Sequence, residues 1–292
     1  MVEVEHFLPV QNKLGEGPVW SVEEQALYWV DILSNCFHRF QSVTGKHEVF
    51  DVGVPIGVLA LRASGGLVMA TKQGFAFWDS RHAGLRLLSN PEADRPYMRF
   101  NDGAVDRHGR FWAGSMRDDG QVGNKEGVLY RLDLNGSVHV METGLGEPNG
   151  IGWSPDNTRM YFTDSAERTI FVYDFDEVSG EITNRRPFVS ATDEASLPDG
   201  LTVDSEGFIW SACWEGARIV RYSPDGKVNL TIDLPVLCPT SCVFGGPNLN
   251  DLYITTAWCD LSEEQREHYP LSGDIFRVVT NFRGLVKFTF AG

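Results

Sequence analysis

A short apolar or aromatic segment occurs six times along the 292-residue chain, and this repeat restricts the possible folds more than any other feature. Successive copies begin about 40 to 49 residues apart, which is the period of a β-propeller blade. The six copies are residues 27–32, 67–71, 111–116, 160–165, 208–214 and 252–257. A rule of ~150 residues per domain would suggest two domains, but propellers of this length form one. We therefore expect residues 1–292 to form a single β-propeller domain.

Each copy is followed by a hairpin with alternating apolar positions and preceded by a further strand-like segment. Hairpins are predicted over residues 37–50, 75–88, 129–141, 170–182, 219–232 and 275–288. Asn-Gly, Ser-Gly and Asp-Gly pairs supply the positive φ that three of their turns need. The preceding segments are residues 16–21, 56–61, 101–106, 149–154, 199–204 and 241–246. The sequence thus predicts an all-β six-bladed propeller with four antiparallel strands per blade, in which residues 4–8 pair with the last blade and cover its edge.

Oxygen-bearing side chains stand at the beginning of most of the preceding segments, which line the central channel of a propeller as its inner strands. Their first residues are Glu16, Ile56, Asn101, Asn149, Asp199 and Ser241. Because equivalent positions point to the same end of the axis, these oxygens would converge and suit a hard divalent cation. Alternatively, they satisfy the backbone of the inner strands and bind only channel water.

Residues just after the second strand of each blade should surround the same end of the channel, which we call the mouth. They are Asp31, residues 116–119, Asp164, Ser165, Trp214, Glu215 and Trp258. Together with Arg99, such carboxylates and indoles suit a small polyhydroxylated ligand, although scattered tryptophans are also common in protein cores.

Composition excludes several classes of function. The net charge of −15 argues against binding nucleic acid or an anionic membrane surface, both of which require a basic face. The N-terminus lacks the pattern of a secretory signal, and five cysteines form no disulfide framework. A cytoplasmic protein with free thiols is expected. The chain lacks a GxSxG elbow, a P-loop and a GxGxxG fingerprint.

Six ordered motifs resemble the regucalcin / gluconolactonase / luciferin-regenerating enzyme family of sugar lactonases, essentially from end to end. They are LGEGPVW (14–20), LYWVDI (27–32), RFNDGAVDRHGRFWAGSM (99–116), PNGIGWSPD (148–156), PDGLTVDSEGFIW (198–210) and CVFGGPNLNDLYITTA (242–257). The resemblance implies a six-bladed propeller that holds one divalent cation in its channel.

By that resemblance the metal ligands are Glu16, Asn149 and Asp199, and Arg99 with Asn101 contacts substrate hydroxyls. The cation varies within the family among calcium, zinc, manganese, magnesium and iron. The implied activity is hydrolysis of a sugar (aldono-) lactone to the aldonic acid, with Asp199 as the general base on the attacking water.

One position departs from the family pattern. A glutamate that contacts substrate in regucalcins corresponds here to Asp119, which is one methylene shorter, and the loop 118–127 is also shorter. This puts substrate size and any lid function of that loop in question. The alternative function is a non-catalytic calcium-binding or interaction propeller. The sugar, the native metal and the oligomeric state stay open.

Overall fold

The computed structural model describes residues 3–80, 82–120, 123–191 and 195–292. Strands account for most of its regular structure. The first eight are β1 (Val4–Leu8), β2 (Gly15–Ser21), β3 (Ala26–Asp31), β4 (Cys36–Gln41), β5 (Lys46–Asp51), β6 (Ile56–Leu61), β7 (Leu67–Thr71) and β8 (Gly74–Trp78). The next eight are β9 (Leu85–Ser89), β10 (Met98–Val105), β11 (Phe111–Arg117), β12 (Gly127–Leu132), β13 (Val138–Leu145), β14 (Pro148–Trp153), β15 (Arg159–Asp164) and β16 (Thr169–Phe175). The last eight are β17 (Ile182–Ser190), β18 (Leu197–Val203), β19 (Ile209–Trp214), β20 (Arg218–Tyr222), β21 (Val228–Asp233), β22 (Cys238–Gly245), β23 (Asp251–Ala257) and β24 (Ile275–Val279).

These strands form six four-stranded antiparallel sheets, which confirms the predicted six-bladed propeller. Blades one to five follow chain order: β2 to β5, β6 to β9, β10 to β13, β14 to β17 and β18 to β21. The inner strands β2, β6, β10, β14, β18 and β22 pack against their neighbours around the ring. A short helix, α1 (Glu263–His268), and one 3-10 turn (Ile32–Ser34) complete the described structure.

The sixth blade closes the ring with the other end of the chain. Its order is β22-β23-β24-β1, and Val4 pairs with Val278, so the predicted docking of residues 4–8 is confirmed. The predicted hairpin over 275–288 is wrong, because β24 ends at Val279 and β1 takes the place of its second strand. This pairing covers the edge that β24 would otherwise expose.

Burial explains why the inner layers of each blade form strands. All six residues of β3 are buried, whereas the outermost strand β5 alternates between exposed and half-buried residues. Large aromatic side chains then pack between blades: the rings of Trp210 and Phe244 meet edge-on with centroids 5.4 Å apart. Such stacking buries faces that a single blade would leave exposed.

Two buried aspartates fix equivalent turns at the end of the inner strands. Asp204 accepts hydrogen bonds from the backbone N–H groups of Glu206 and Phe208, each at 3.0 Å, and from Trp210 Nε1 at 2.9 Å. Asp106 makes the same kind of bonds in the third blade, including one from Trp112 Nε1 at 2.9 Å. The Asp-x-x-Gly-x-x-Trp spacing therefore connects each turn by a hydrogen bond to a tryptophan of the aromatic layer, the large aromatic side chains that pack between blades.

Membrane-spanning length is not reached by any helix within the described residues. All five cysteines are free thiols, and four of them are buried.

Candidate functional site

The inner strands share an irregularity at the mouth of the channel. In every blade the pairing of the inner strand with the second strand shifts register there. The shifts lie between Glu16 and Val19, Ile56 and Val58, Phe100 and Gly103, Pro148 and Ile151, Pro198 and Leu201, and Pro239 and Ser241. A bulge bends the strand and re-aims a side chain. Asn101, Asn149 and Asp199 fall inside these shifts, and Glu16 flanks one.

Glycines next to these positions let neighbouring inner strands approach closely. A Cβ on Gly150 would lie 2.5 Å from the backbone nitrogen of Leu201, and a Cβ on Gly200 would overlap Ser241. Only glycine fits such close backbone contact. The inner strands begin up to a few residues earlier than the sequence predicted; β10, for example, starts at Met98 rather than Asn101. The polar residues at the mouth nevertheless occupy equivalent positions in their blades, and the close approach of the inner strands brings them together.

A cavity of about 370 Å³ contains most of the predicted site residues. It is lined by Leu14, Glu16, Leu33, Arg99, Asn101, Met116, Glu147, Asn149, Ser165, Leu197, Asp199, Trp214, Cys259 and Asp260. Asp119 is absent from the lining among the described residues, and its carboxylate forms an ion pair with Arg117. Residues 121 and 122 of the loop 118–127, whose lid function the sequence left in question, lie outside the described residues. This cavity, with its lining, is the candidate site.

A chain of hydrogen bonds orients the two amide side chains. Asn101 Oδ1 accepts from Arg99 Nη1 at 2.7 Å, and Asn101 Nδ2 donates to Asn149 Oδ1 at 2.9 Å. Asn149 Nδ2 in turn donates to Ser165 Oγ at 2.8 Å, and that hydroxyl donates to the carbonyl of Pro198 at 2.6 Å. A carbonyl oxygen has two lone pairs, so Asn149 Oδ1 retains one acceptor position. The network therefore holds Asn149 in one orientation without exhausting its oxygen.

The carboxylates of Glu16 and Asp199 are buried, with 6% and 5% of each residue exposed. Glu16 Oε2 accepts from the N–H of Gly17 at 2.8 Å, but Asp199 Oδ1 has no hydrogen-bond partner among the described residues. Burial raises the pKa of Asp199 well above its usual range, and the charges of Glu16 and Glu147 raise it further. Burial likewise raises the pKa of Glu16, with a further contribution from Asp102.

These features fit a divalent cation held by oxygen ligands. Among the described residues, Asp199 Oδ1 has no hydrogen-bond partner, and burial together with the charge of Glu16 opposes its ionisation, whereas a buried charge requires a pairing group or a metal. Glu16, Asp199 and the amide oxygen of Asn149 are a donor set suited to a hard cation. The described residues contain no group of three or more His, Cys, Asp or Glu side chains arranged as a metal site. Any cation here would therefore depend on the amide as well as the two carboxylates.

Arg99 lies at the edge of the cavity with 11% of its side chain exposed. Its Nε is 3.2 Å from Asp118 Oδ1, and Asp118 also pairs with Lys72. Arg99 Nη1 donates to the carbonyl of Phe100 at 3.0 Å in addition to Asn101. Arg99 is thus both part of an ion-pair network and a lining residue.

Of the two tryptophans expected at the mouth, only Trp214 lines the candidate site. Trp258 Nε1 donates to the carbonyl of Gln11 at 3.0 Å, and the guanidinium of Arg266 stacks on its ring at 4.0 Å. Trp258 therefore lies beside α1, outside the lining of the candidate site.

Sequence reasoning missed two acidic lining residues, Glu147 and Asp260. Asp260 follows the second strand of the sixth blade, so the rule that selected the other mouth residues could have included it. Glu147 lies two residues before Asn149 and has no equivalent in that rule. Burial raises the pKa of Glu147, and Arg99 opposes the shift.

Residues 14–258 match the family described as "SMP-30/Gluconolactonase/LRE-like region". The chain is 40% identical over 265 residues to pentonolactonase XacC of Haloferax volcanii, covering 90% of this chain and 88% of the relative. Its structure is similar to that of a luciferin-regenerating enzyme (TM-score 0.94, 29% identity, 100% of both chains). It is also similar to regucalcin from Agrobacterium tumefaciens, described as a calcium-binding protein (TM-score 0.92, 26% identity, 97% and 96% of the two chains).

Proposed function

Because the chain belongs to the SMP-30/gluconolactonase/LRE-like family, we propose that it hydrolyses a sugar lactone to the corresponding aldonic acid. The observation that carries the proposal is the buried Oδ1 of Asp199, which has no hydrogen-bond partner in the described part of the chain and lies in a cavity that also contains Arg99 and Asn101. A cavity of about 370 Å³ is in the size range of small-molecule sites. The pentonolactonase relative supports a lactone as the substrate class.

Glu16, Asn149 and Asp199 would hold one divalent cation in this proposal. When bound, the cation supplies Lewis-acid polarisation of the lactone carbonyl. Burial, and after it the neighbouring carboxylates, raises the pKa values of Glu16 and Asp199, and a positive charge held between them would favour the ionised form of both carboxyls. Calcium, zinc, manganese, magnesium and iron are the candidates.

Asp199 is proposed as the general base. Its carboxylate accepts a proton from water as the water oxygen bonds to the carbonyl carbon, and the ring C–O bond then breaks. The proton returned to the ring oxygen completes hydrolysis, so Asp199 ends in its starting state. The buried position removes competing bulk water, which strengthens its electrostatic interactions with the reacting groups.

Arg99 and Asn101 are proposed to orient the ring hydroxyls. Both line the cavity, and the hydrogen bond between them fixes the relative position of a donor group and an amide. Orientation of bound groups is a substantial rate contribution. Asp119, paired with Arg117, would have to exchange that partner to contact a substrate hydroxyl.

The decisive experiment measures acid release from a panel of aldonolactones by metal-stripped protein, with each cation restored separately. Asp199→Asn should lower turnover about 10²- to 10⁴-fold, the usual range for loss of a general base. Asp225→Asn, on an exposed outer turn, is the matched control and should retain full activity. An Asp199→Asn protein within a few-fold of wild type would remove Asp199 as the base.

A second candidate function is a non-catalytic calcium-binding propeller, favoured by the description of the Agrobacterium relative. The two functions differ in one measurement. A binding protein would take up Ca²⁺ by calorimetry but open none of the lactones with any cation. Glu16→Gln should weaken cation binding in either case, because the amide keeps the shape but loses the charge. Unchanged affinity in that variant would exclude Glu16 as a ligand.

A further inference from the structure

The C-terminal segment, residues 283–290, crosses the end of the channel that is opposite the candidate site. At its beginning, Gly284 N donates to the carbonyl of Leu249 in the sixth blade, and Ser205 N of the fifth blade donates to Arg283 O, both at 2.8 Å. At its end, Phe290 N donates to the carbonyl of Leu61 in the second blade at 2.8 Å. The second and fifth blades are opposite one another in a ring of six. Residues 285–289 must therefore pass across the axis.

Lys287 lies on that axis. It lines a small cavity of about 40 Å³ to which all six inner strands contribute. One residue from each strand in this cavity is Gly17, Val58, Asp102, Ile151, Leu201 and Cys242. A cavity that is lined by every inner strand must lie on the axis of the ring. Gly17, Ile151 and Leu201 come one or two positions after Glu16, Asn149 and Asp199 in the same strands. The small cavity therefore lies directly beneath the candidate site.

Asp102 and Lys287 are the charged residues among the described lining of this small cavity. Asp102 is 7% exposed, and its Oδ1 accepts from the N–H of Gly103 at 2.7 Å. Burial raises the pKa of Asp102 to about 6, and the ammonium of Lys287 opposes that rise. The charge of Asp102 in turn acts on both Glu16 and Asp199. Asp102 thus links Lys287 electrostatically to the candidate site.

We propose that Lys287 is a built-in counter-charge to Asp102 and that it reduces the affinity of the channel for a divalent cation. The first half depends only on the arrangement of the small cavity, while the second half rests on the cation site of the proposed function. Three buried carboxylates around one axis repel each other, and an ammonium beneath them offsets part of that repulsion. The same ammonium repels a cation that arrives from the mouth, because both charges would lie along one channel.

The counter-charge is tested in metal-free protein with a double-mutant cycle of Lys287→Met, Asp102→Asn and the double variant. Urea unfolding in the presence of a chelator supplies the free energies. Lys287→Met should raise the unfolding equilibrium constant about ten-fold, and the added Asp102→Asn should recover part of this loss. Lys227→Met, in which an exposed lysine is removed from an outer turn, should change it little. Strictly additive effects of the two channel substitutions would overturn the counter-charge role of Lys287.

The effect on cation binding is tested by calorimetry with Ca²⁺ and Mn²⁺ at pH 8, above the pKa of about 6 to which burial raises Asp102. Lys287→Met should bind about ten-fold more tightly than wild type. Lys287→Arg should keep the wild-type affinity because it keeps the charge, and Lys227→Met should match wild type. Equal or weaker binding by Lys287→Met would overturn the second half of the proposal. Absence of cation binding in wild type would instead refute the cation site of the proposed function, and the double-mutant cycle in chelator would still decide whether Lys287 acts as a counter-charge to Asp102.

Discussion

Replacing Asp204 with asparagine should destabilise the propeller strongly, although Asp204 is remote from the chemistry. Its side chain is fully buried and accepts five hydrogen bonds: two from backbone N–H groups, one from Trp210, and two from Arg221 Nε and Nη2 at 2.9 and 2.7 Å. Asparagine keeps the shape and one acceptor oxygen. Its amide nitrogen, however, would face the donors of Trp210 and Arg221.

The magnitude follows from the charge left behind. Arg221 has 2% of its side chain exposed and retains Glu206 and Asn229 as partners. Breaking a buried ion pair by removing one partner costs about 3–5 kcal/mol. For a chain of this size we expect the melting temperature to fall by roughly 6–20 °C.

Urea unfolding followed by tryptophan fluorescence and circular dichroism measures the loss. The matched control is Asp156→Asn, at the corresponding turn of the fourth blade, where the aspartate is exposed and its bonds go to Ser154 and Thr158. That variant should lose less than about 1 kcal/mol. If the losses in unfolding free energy of the two variants differed by less than about 1 kcal/mol, the argument that the buried turn aspartates stabilise the aromatic layer would be refuted.

Two further predictions concern specificity and pH. Arg99→Ala should reduce activity on hydroxylated lactones much more than on an unsubstituted lactone, since unpaired polar groups discriminate more strongly than pocket size; equal losses on both substrates would make Arg99 a scaffold residue of the Asp118 ion pair. His38 is buried and contacts His47, and burial, followed by the charge of His47, lowers its pKa to about 4. A lowered histidine pKa means that the unfolded chain binds the proton more readily, so this contribution to stability is complete above pH 6.5 and is lost as the pH falls toward 4. Wild type should lose about 2 kcal/mol more than His38→Gln between pH 7 and pH 5, measured by urea unfolding. Parallel pH profiles of the two proteins would contradict this assignment.

Much of the fold could be predicted because its information is local and repeated. The second strands were expected within one or two residues of their observed bounds, since an apolar run such as β3 is buried on both faces wherever it packs. The repeat also aligned Glu16, Asn149 and Asp199, and a ring of equivalent blades places equivalent positions at the same end of the axis. Their roles as ligands and base stay predictions.

The fourth strand of the sixth blade shows where such reasoning ends. Residues 275–288 alternate like the other hairpins, yet Val4–Leu8 supplies the outer strand. Local alternation cannot distinguish two segments that both could pair with β24, because the choice depends on where the closed ring places the two chain ends. The remainder of the C-terminal segment is then free to cross the channel.

The sequence by itself determined the number of blades, the strands within them and the alignment of polar residues at the mouth. Only the tertiary structure decided that bulges turn those residues into one cavity, that Glu147 and Asp260 join them, and that Lys287 stands beneath Asp102. The physical reason is the range of the interactions. Strand formation depends on periodic burial, which is visible in the pattern of neighbouring residues. The position of a charge on the channel axis depends instead on residues far apart in the chain, which meet only when the ring has closed.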